Sequence, residues 1–132
     1  MQIENTQITT TGKKADSATL SDIVVEAVRD LKGKGITVID LDSLETAPAS
    51  RFVICQGKST TQVGSIADNI VDKVREATGI KPYNIDGTRN SQWVVVDYGS
   101  VMVHVFLPET HDLYNLEDLW SDASIEVLPD ID

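Results

Sequence analysis

Hydrophobic residues recur at helical spacing in two long segments of the chain. In the segment that begins at Asp16 or Ser17 and ends at Lys32-Gly33, they are Leu20, Ile23, Val24, Ala27, Val28 and Leu31. In the segment between Gly57 and Gly79, they are Val63, Ile66, Ala67, Ile70, Val74 and Ala77. Each segment begins near a residue that can cap a first turn and ends at glycine. The pattern therefore predicts two amphipathic helices.

Two short apolar runs rich in β-branched residues lie between these helices. The runs "ITVIDL", residues 36–41, and "RFVICQ", residues 51–56, are apolar at nearly every position. Such runs are typical of strands that are covered on both faces. Pro48 excludes a helix from the loop between them, and "KPYNIDG" after the second helix leaves room for a short edge strand.

A β-hairpin is predicted for "WVVVDYGSVMVHVF". Gly99 at the first position of a two-residue loop fits a type II′ turn. The resulting register places Tyr98 opposite Val101 and predicts one shared face made of Trp93, Val95, Asp97, Met102, His104 and Phe106. Asp97 and His104 lie diagonally on that face, and we expect them to form a hydrogen bond.

The remaining segments complete a one-domain description. Met1 to Ala15 has no sustained period and is interpreted as a mobile arm. After Pro108 we expect one short helix, capped by Asn115, that ends the ordered part with Leu116, Leu119 and Trp120 on one side. Residues 124–132 form an acidic tail. Residues 16–123 are thus predicted to be a single α/β (α+β) domain, with a mixed sheet flanked by helices.

The charge and the single cysteine narrow the classes of partner and compartment. The chain has 132 residues and a net charge of −10, from 21 acidic and 11 basic residues. An acidic surface disfavours sequence-specific nucleic-acid binding and suits either solubility or a basic protein partner. Cys55 lies in an apolar run, as suits a reducing compartment. Neither an apolar leader nor a membrane segment is evident, so we expect a cytoplasmic protein without a membrane partner.

Two motifs suggest phosphate chemistry and are better explained structurally. Gly57-Lys58-Ser59-Thr60 resembles the end of a P-loop, but Phe52 stands where the first glycine is needed. We expect Gly57 to end the strand and Ser59 or Thr60 to cap the helix. Asp40 and Asp42 have the spacing of metal-binding carboxylates in nucleotidyltransferases, although the glycine turn comes on the wrong side of them.

Catalytic and metal sites are not predicted. His104 and His111 do not have the spacing of zinc ligands. The sequence also lacks the nucleophile elbow G-x-S-x-G of a hydrolase. No cofactor is expected either. Most of the aromatic residues fall in the last third of the chain, interleaved with charges: Trp93, Tyr98, Phe106, Tyr114 and Trp120. That composition suits either a core or a protein interface, and both interpretations stay open.

The segment from Trp93 to Trp120 resembles the ribosomal silencing factor, or Iojap-related, family. The residues that carry the resemblance are Trp93, Asp97, Tyr98, Gly99, Val103, His104, Tyr114, Leu116, Glu117, Leu119 and Trp120. A second matching block is "ASRFVICQGKSTTQVGSIAD", and the resemblance covers about Ser17 to Ala123. The chain departs from the family pattern at Ser50-Arg51, at Asp86-Gly87 and at His111, where an arginine is usual.

The resemblance implies a nucleotidyltransferase-like fold that acts without catalysis in translation. Members of the ribosomal silencing factor family bind the large ribosomal subunit, mainly through ribosomal protein number fourteen, and hinder joining of the small subunit. Some are linked to ribosome biogenesis, and several are homodimers when free. Carried over to this chain, the expected partner-binding residues are Trp93, Asp97, His104, Tyr114, Glu117 and Trp120. The alternatives are a nucleotidyltransferase that uses Asp40 and Asp42, and a dimeric scaffold.

Overall fold

The computed structural model describes residues 16–44 and 46–131, so the predicted arm lies outside the described residues. The described helices and strands are, in chain order, α1 (Ser17–Asp30), β1 (Lys34–Asp40), β2 (Arg51–Gln56), α2 (Thr60–Thr78), β3 (Asn84–Asp86), β4 (Trp93–Asp97), β5 (Val101–Phe106), α3 (Pro108–Tyr114), α4 (Leu116–Leu119) and β6 (Ser124–Val127). Every predicted helix and strand is present, including the short edge strand before Gly87.

The described strands form one mixed sheet in the order β3-β4-β5-β2-β1-β6. β2 and β5 run parallel at its centre, and the other neighbouring strands are antiparallel. The predicted α+β class is therefore confirmed. In the part of the chain that the structure describes, the helices are too short or too polar to cross a bilayer.

The helix boundaries follow from their capping residues. The Asp16 carboxylate accepts a hydrogen bond of 2.7 Å from the amide of Thr19, at the start of α1. The Ser59 hydroxyl accepts one of 3.1 Å from the amide of Gln62, at the start of α2. Gly79 ends α2 in the left-handed conformation, where glycine has no steric penalty. Gly57-Lys58-Ser59-Thr60 is thus a strand-to-helix turn, as predicted.

The predicted hairpin register is confirmed. Trp93 pairs with Phe106, Val95 with His104, and Asp97 with Met102. The Tyr98 amide donates to the Val101 carbonyl at 2.9 Å and so closes the two-residue loop. Because antiparallel partners point to the same side, this register places Trp93 and His104 on one face of the sheet.

The sheet separates two hydrophobic cores. On one face, α1 and α2 cover the central strands and bury residues such as Val53 and Val103. On the other face, the cover consists of α3, α4 and the loop after β1, and the buried residues there are Ile39, Leu41, Phe52, Ile54 and Phe106. The long helices therefore protect one face far better than the short helices protect the other.

The C-terminal part of the domain differs from the prediction in two ways. The ordered part does not end at Trp120, because β6 pairs with β1, whose edge would otherwise carry unpaired backbone groups. The segment after Pro108 forms two helices rather than one, because Asn115 adopts a φ of 45° between them. Asn115 does not cap the backbone: its side-chain amide donates to the Asp118 carboxylate at 2.9 Å.

Gly87 makes a close backbone approach that should be sensitive to substitution. Its φ is +89°, and an added Cβ would overlap the carbonyl oxygen of Trp93. Gly79 has a similar φ of +77° but open space around it. We expect Gly79→Ala to lower the free energy of unfolding by about 1 kcal/mol, and Gly87→Ala by on the order of 3 kcal/mol. Urea denaturation of both variants tests this, and equal losses would contradict it.

Candidate functional site

An aromatic cluster occupies the sheet face beneath α3 and α4. Trp93 is central: its ring centroid lies 4.9 Å from that of Phe106 and 4.8 Å from that of Tyr114. Phe52 extends the cluster by edge contacts to His104 at 4.7 Å and to Trp120 at 5.9 Å. We call these residues the aromatic cluster: Phe52, Trp93, His104, Phe106, Tyr114 and Trp120. Strands β2, β4 and β5 contribute to it, as do α3 and the residue that follows α4.

The hydrogen bond expected between Asp97 and His104 is absent. Instead, the indole nitrogen of Trp93 donates to Nδ1 of His104 at 3.1 Å. Asp97 accepts from the Gly99 amide at 2.8 Å and so stabilises the hairpin loop. The reason is local geometry, because a carboxylate two residues before a turn readily accepts from the turn's own backbone. The orientation of Trp93 therefore depends on this hydrogen bond as well as on its ring contacts with Phe106 and Tyr114.

His104 is inside the domain rather than on its surface. The residue is 4% exposed. Its Nδ1 accepts a hydrogen bond, so the proton of the neutral ring lies on Nε2, which is buried and has no partner among the described residues. Burial lowers the pKa of His104 to about 4, although the charge of Asp97 acts in the opposite direction. The ring therefore stays neutral at physiological pH and supports the cluster from beneath.

A second histidine joins the two short helices. Nε2 of His111, on α3, lies 2.7 Å from a carboxylate oxygen of Glu117, on α4. The two side chains are 17% and 22% exposed. The His111 ring also contacts Phe106 edge-on, with 5.7 Å between centroids. This pair fixes α4 against α3. The Glu117 carboxylate therefore binds mainly to His111 within the domain.

The outer surface of the short helices is apolar. Leu113 is 77% exposed, Leu119 is 70% exposed and Tyr114 is 54% exposed. We call these three residues the apolar patch. Leu116, Leu119 and Trp120 were expected on one side of a helix, but Leu116 and Trp120 pack against the core whereas Leu119 is exposed. Leu113 was not predicted as a site residue, and the only signal for it in the sequence is an apolar residue surrounded by polar ones.

Two clefts flank the apolar patch. One has a volume of about 180 Å³ and is lined by Gly87, Asn90, Gln92, Trp93, Thr110 and Tyr114. The other has a volume of about 360 Å³ and is lined by Ser43, Leu44, Thr46, Leu119, Trp120 and Asp122. Each predicted tryptophan therefore lies beside a concave surface next to exposed apolar side chains.

The structure brings most of the predicted site residues together, with one exception. Trp93, His104 and Tyr114 are joined directly, and Trp120 is joined through Phe52. Asp97 is four residues along β4 from Trp93, which in a strand corresponds to roughly 13 Å. Asp97 therefore belongs to the opposite end of the hairpin.

The region that resembles a transferase site is occupied by structural contacts. A carboxylate oxygen of Asp40 accepts a hydrogen bond of 3.0 Å from the Asp42 amide. Within the described ranges, no group of histidine, cysteine or acidic side chains is arranged to hold a metal ion. Burial raises the pKa of the Cys55 thiol to about 12, so this thiol is not a ready nucleophile. These contacts account for Asp40 and Ser59 without a phosphate ligand.

The buried His104 should make stability depend on pH. The unfolded chain takes up a proton near pH 6.5 and the folded chain only near pH 4, so stability falls as the pH falls between these values. Between pH 7 and 4, His104 should lower the free energy of unfolding by on the order of 3 kcal/mol. We expect this decrease to be missing in His104→Gln, because glutamine stays neutral. Urea denaturation across this range tests it. The carboxylates titrate in both proteins, so parallel stability curves would contradict the prediction.

Comparison with known proteins gives the same family as the sequence motif. The family model described as ribosomal silencing factor during starvation matches residues 14–132. A relative from Chromobacterium violaceum, named ribosomal silencing factor RsfS, is 38% identical over 101 residues, which are 76% of this chain and 81% of the relative. A crystal structure of a protein from the same organism has a TM-score of 0.77 at 36% identity, covering 81% of this chain and 88% of that one.

A relative from a eukaryote extends the comparison. The Mus musculus protein named mitochondrial assembly of ribosomal large subunit protein 1 is 32% identical over 107 residues, which are 80% of this chain and 46% of that protein. Since the family model covers nearly the whole chain and the solved structure shares its fold, the chain belongs to the ribosomal silencing factor family.

Proposed function

We propose that this protein represses translation by binding the large ribosomal subunit through the apolar patch and its two clefts. The observation that carries the proposal is the exposure of Leu113, Tyr114 and Leu119 on the two short helices, where Tyr114 also contacts Trp93 of the aromatic cluster. Exposed apolar side chains beside concave surfaces are typical of protein interfaces. The names of the relatives, which refer to ribosome silencing and to large-subunit assembly, support a ribosomal partner.

The proposed contact is a basic ribosomal protein, number fourteen of the large subunit. Acidic side chains surround the patch, since Asp112 and Asp118 are exposed on the same short helices. The chain as a whole carries a net charge of −10. Opposite charges accelerate encounter and orient the partners, while the apolar patch supplies most of the affinity.

Each predicted partner-binding residue has a distinct part in this proposal. Tyr114, Trp93 and Trp120 contact the partner directly, Tyr114 from the patch and the tryptophans from the clefts. Glu117 and His104 hold these side chains in place, through His111 and through the Trp93 indole respectively. Asp97 lies outside the proposed contact and stabilises the hairpin loop through the Gly99 amide.

The mechanism is steric rather than catalytic. A folded domain of 14.4 kDa bound on the face where the subunits meet prevents the small subunit from approaching. A role in ribosome biogenesis follows from the same binding, because a blocked large subunit is kept from translation while it matures. The activity belongs in the cytoplasm, where subunits join. In the free protein we also expect a homodimer, which sedimentation equilibrium at several concentrations would detect.

The deciding experiment is co-sedimentation with separated ribosomal subunits, followed by a subunit-joining assay. We expect the protein to sediment with the large subunit alone and to reduce the fraction of joined ribosomes. Truncation of a central interface side chain commonly costs about 2 kcal/mol or more, so Tyr114→Ala and Leu119→Ala should each weaken binding by roughly 30-fold.

Tyr83→Ala is the matched control. Tyr83 is 84% exposed and lies beside Gly99, at the opposite end of the hairpin from Trp93. The variant should bind and block joining as the unmodified protein does. Absence of binding to either subunit at low and physiological salt would overturn the proposal. Equal weakening by Tyr83→Ala and Tyr114→Ala would remove the apolar patch from it.

A further inference from the structure

We propose that a cleft on the helix-covered side of the sheet binds a small organic phosphate. The cleft has a volume of about 500 Å³, within the usual range for small-molecule sites. It lies between α1 and the β1–β6 edge, on the face opposite the aromatic cluster. Its lining residues are Ser21, Asp22, Val25, Glu26, Arg29, Val38, Arg51, Glu126 and Leu128.

Two arginines with unused donors line this cleft. Arg29 donates from Nη2 to the Pro129 carbonyl at 3.1 Å, and Arg51 donates from Nη1 to the Ser21 hydroxyl at 3.4 Å. The Nε–H group of each is buried and has no acceptor among the described residues. Over the same residues, neither guanidinium forms an ion pair with a carboxylate. Because each Nε–H group is buried, an anionic ligand in the cleft would accept from the remaining Nη–H groups and stabilise the charge of both guanidinium groups.

The arginines are prepared for an anion by contacts already in place. Each guanidinium is held by one hydrogen bond from Nη, which reduces the entropy lost when a ligand is bound. The remaining Nη–H groups can then donate charge-assisted hydrogen bonds to an oxyanion. Ser21 is 2% exposed and fixed on α1, where its hydroxyl donates to the Ala18 carbonyl at 3.0 Å.

The remaining lining residues define the rest of the ligand. Val25, Val38 and Leu128 belong to the hydrophobic core around α1 and give the cleft an apolar floor. Asp22, Glu26 and Glu126 are exposed on its rim. Nζ of Lys73 lies 3.3 Å from the Glu26 carboxylate and 2.7 Å from that of Asp30, so it offsets the charge of Glu26 only in part. The two other rim carboxylates repel an extended polyanion such as a nucleic acid, so the cleft suits a compact ligand with one phosphate and an apolar body.

Nuclear magnetic resonance of the full chain tests this directly, with phenyl phosphate as the probe and sodium chloride at matched ionic strength as the reference. We expect saturable shifts of the Nε–H signals of Arg29 and Arg51 and of the Ser21 amide. Two simpler anions should bind more weakly. Inorganic phosphate lacks the apolar body, and benzoate has an apolar ring but carries a carboxylate in place of the phosphate. Absence of saturable shifts, or equal binding of either simpler anion, would overturn the proposal.

Substitutions separate the cleft from other sites. Loss of hydrogen bonds to a charged group commonly weakens binding by roughly tenfold, which we expect for Arg29→Gln and for Arg51→Gln. Arg75→Gln is the control, because Arg75 lies on α2 and pairs with Asp72 at 3.2 Å. The amide spectra show whether each variant is folded. Arg29→Lys keeps the positive charge but loses the planar guanidinium donors, so it should also bind weakly. Unchanged affinity in all three cleft variants, or shifts confined to Gly57–Ser59, would overturn the proposal.

Discussion

The parallel pair of central strands, β2 and β5, requires cover on both faces of the sheet, and the rest of the molecule is arranged around that requirement. Their residues alternate between the two hydrophobic cores. Burial of apolar area is the dominant favourable term in folding, so neither face can be left to solvent. The helices α1 and α2 cover one face of the sheet. The other face depends on two helices of seven and four residues and a loop.

This unequal cover explains why the candidate docking surface lies where it does. Two short helices cannot turn every apolar residue inward, and Leu113, Tyr114 and Leu119 stay exposed. Beneath them, the hydrogen bond from Trp93 to the neutral His104 ring and the His111–Glu117 pair hold the aromatic side chains in one arrangement. A partner that binds this surface meets an ordered site, which lowers the entropic cost of association.

The same sheet carries a second surface of different chemistry on its opposite face. At the β1 edge, β6 and the residues after it are tied to the domain by the Leu128 amide, by Asp130 and by Arg29. These contacts hold β6 and the residues after it beside the cleft that Arg29 and Arg51 line. The apolar patch and the cleft lined by the two arginines therefore lie on opposite faces of the sheet.

Local rules were enough to predict α1, α2, the strands β1 to β5 and the hairpin register, because periodicity, capping at Asp16 and Ser59, and the two-residue loop act between residues near each other in the chain. The family motif also grouped Trp93, Tyr114 and Trp120, and the structure joins these side chains in the aromatic cluster. Sequence could not show that His104 pairs with Trp93 instead of Asp97, that Asn115 breaks the last helix, or that β6 closes the β1 edge. The approach of Arg29 to Pro129 joins residues 100 positions apart. Such contacts depend on how the finished elements pack, since burial and competition among partners exist only once the chain has folded.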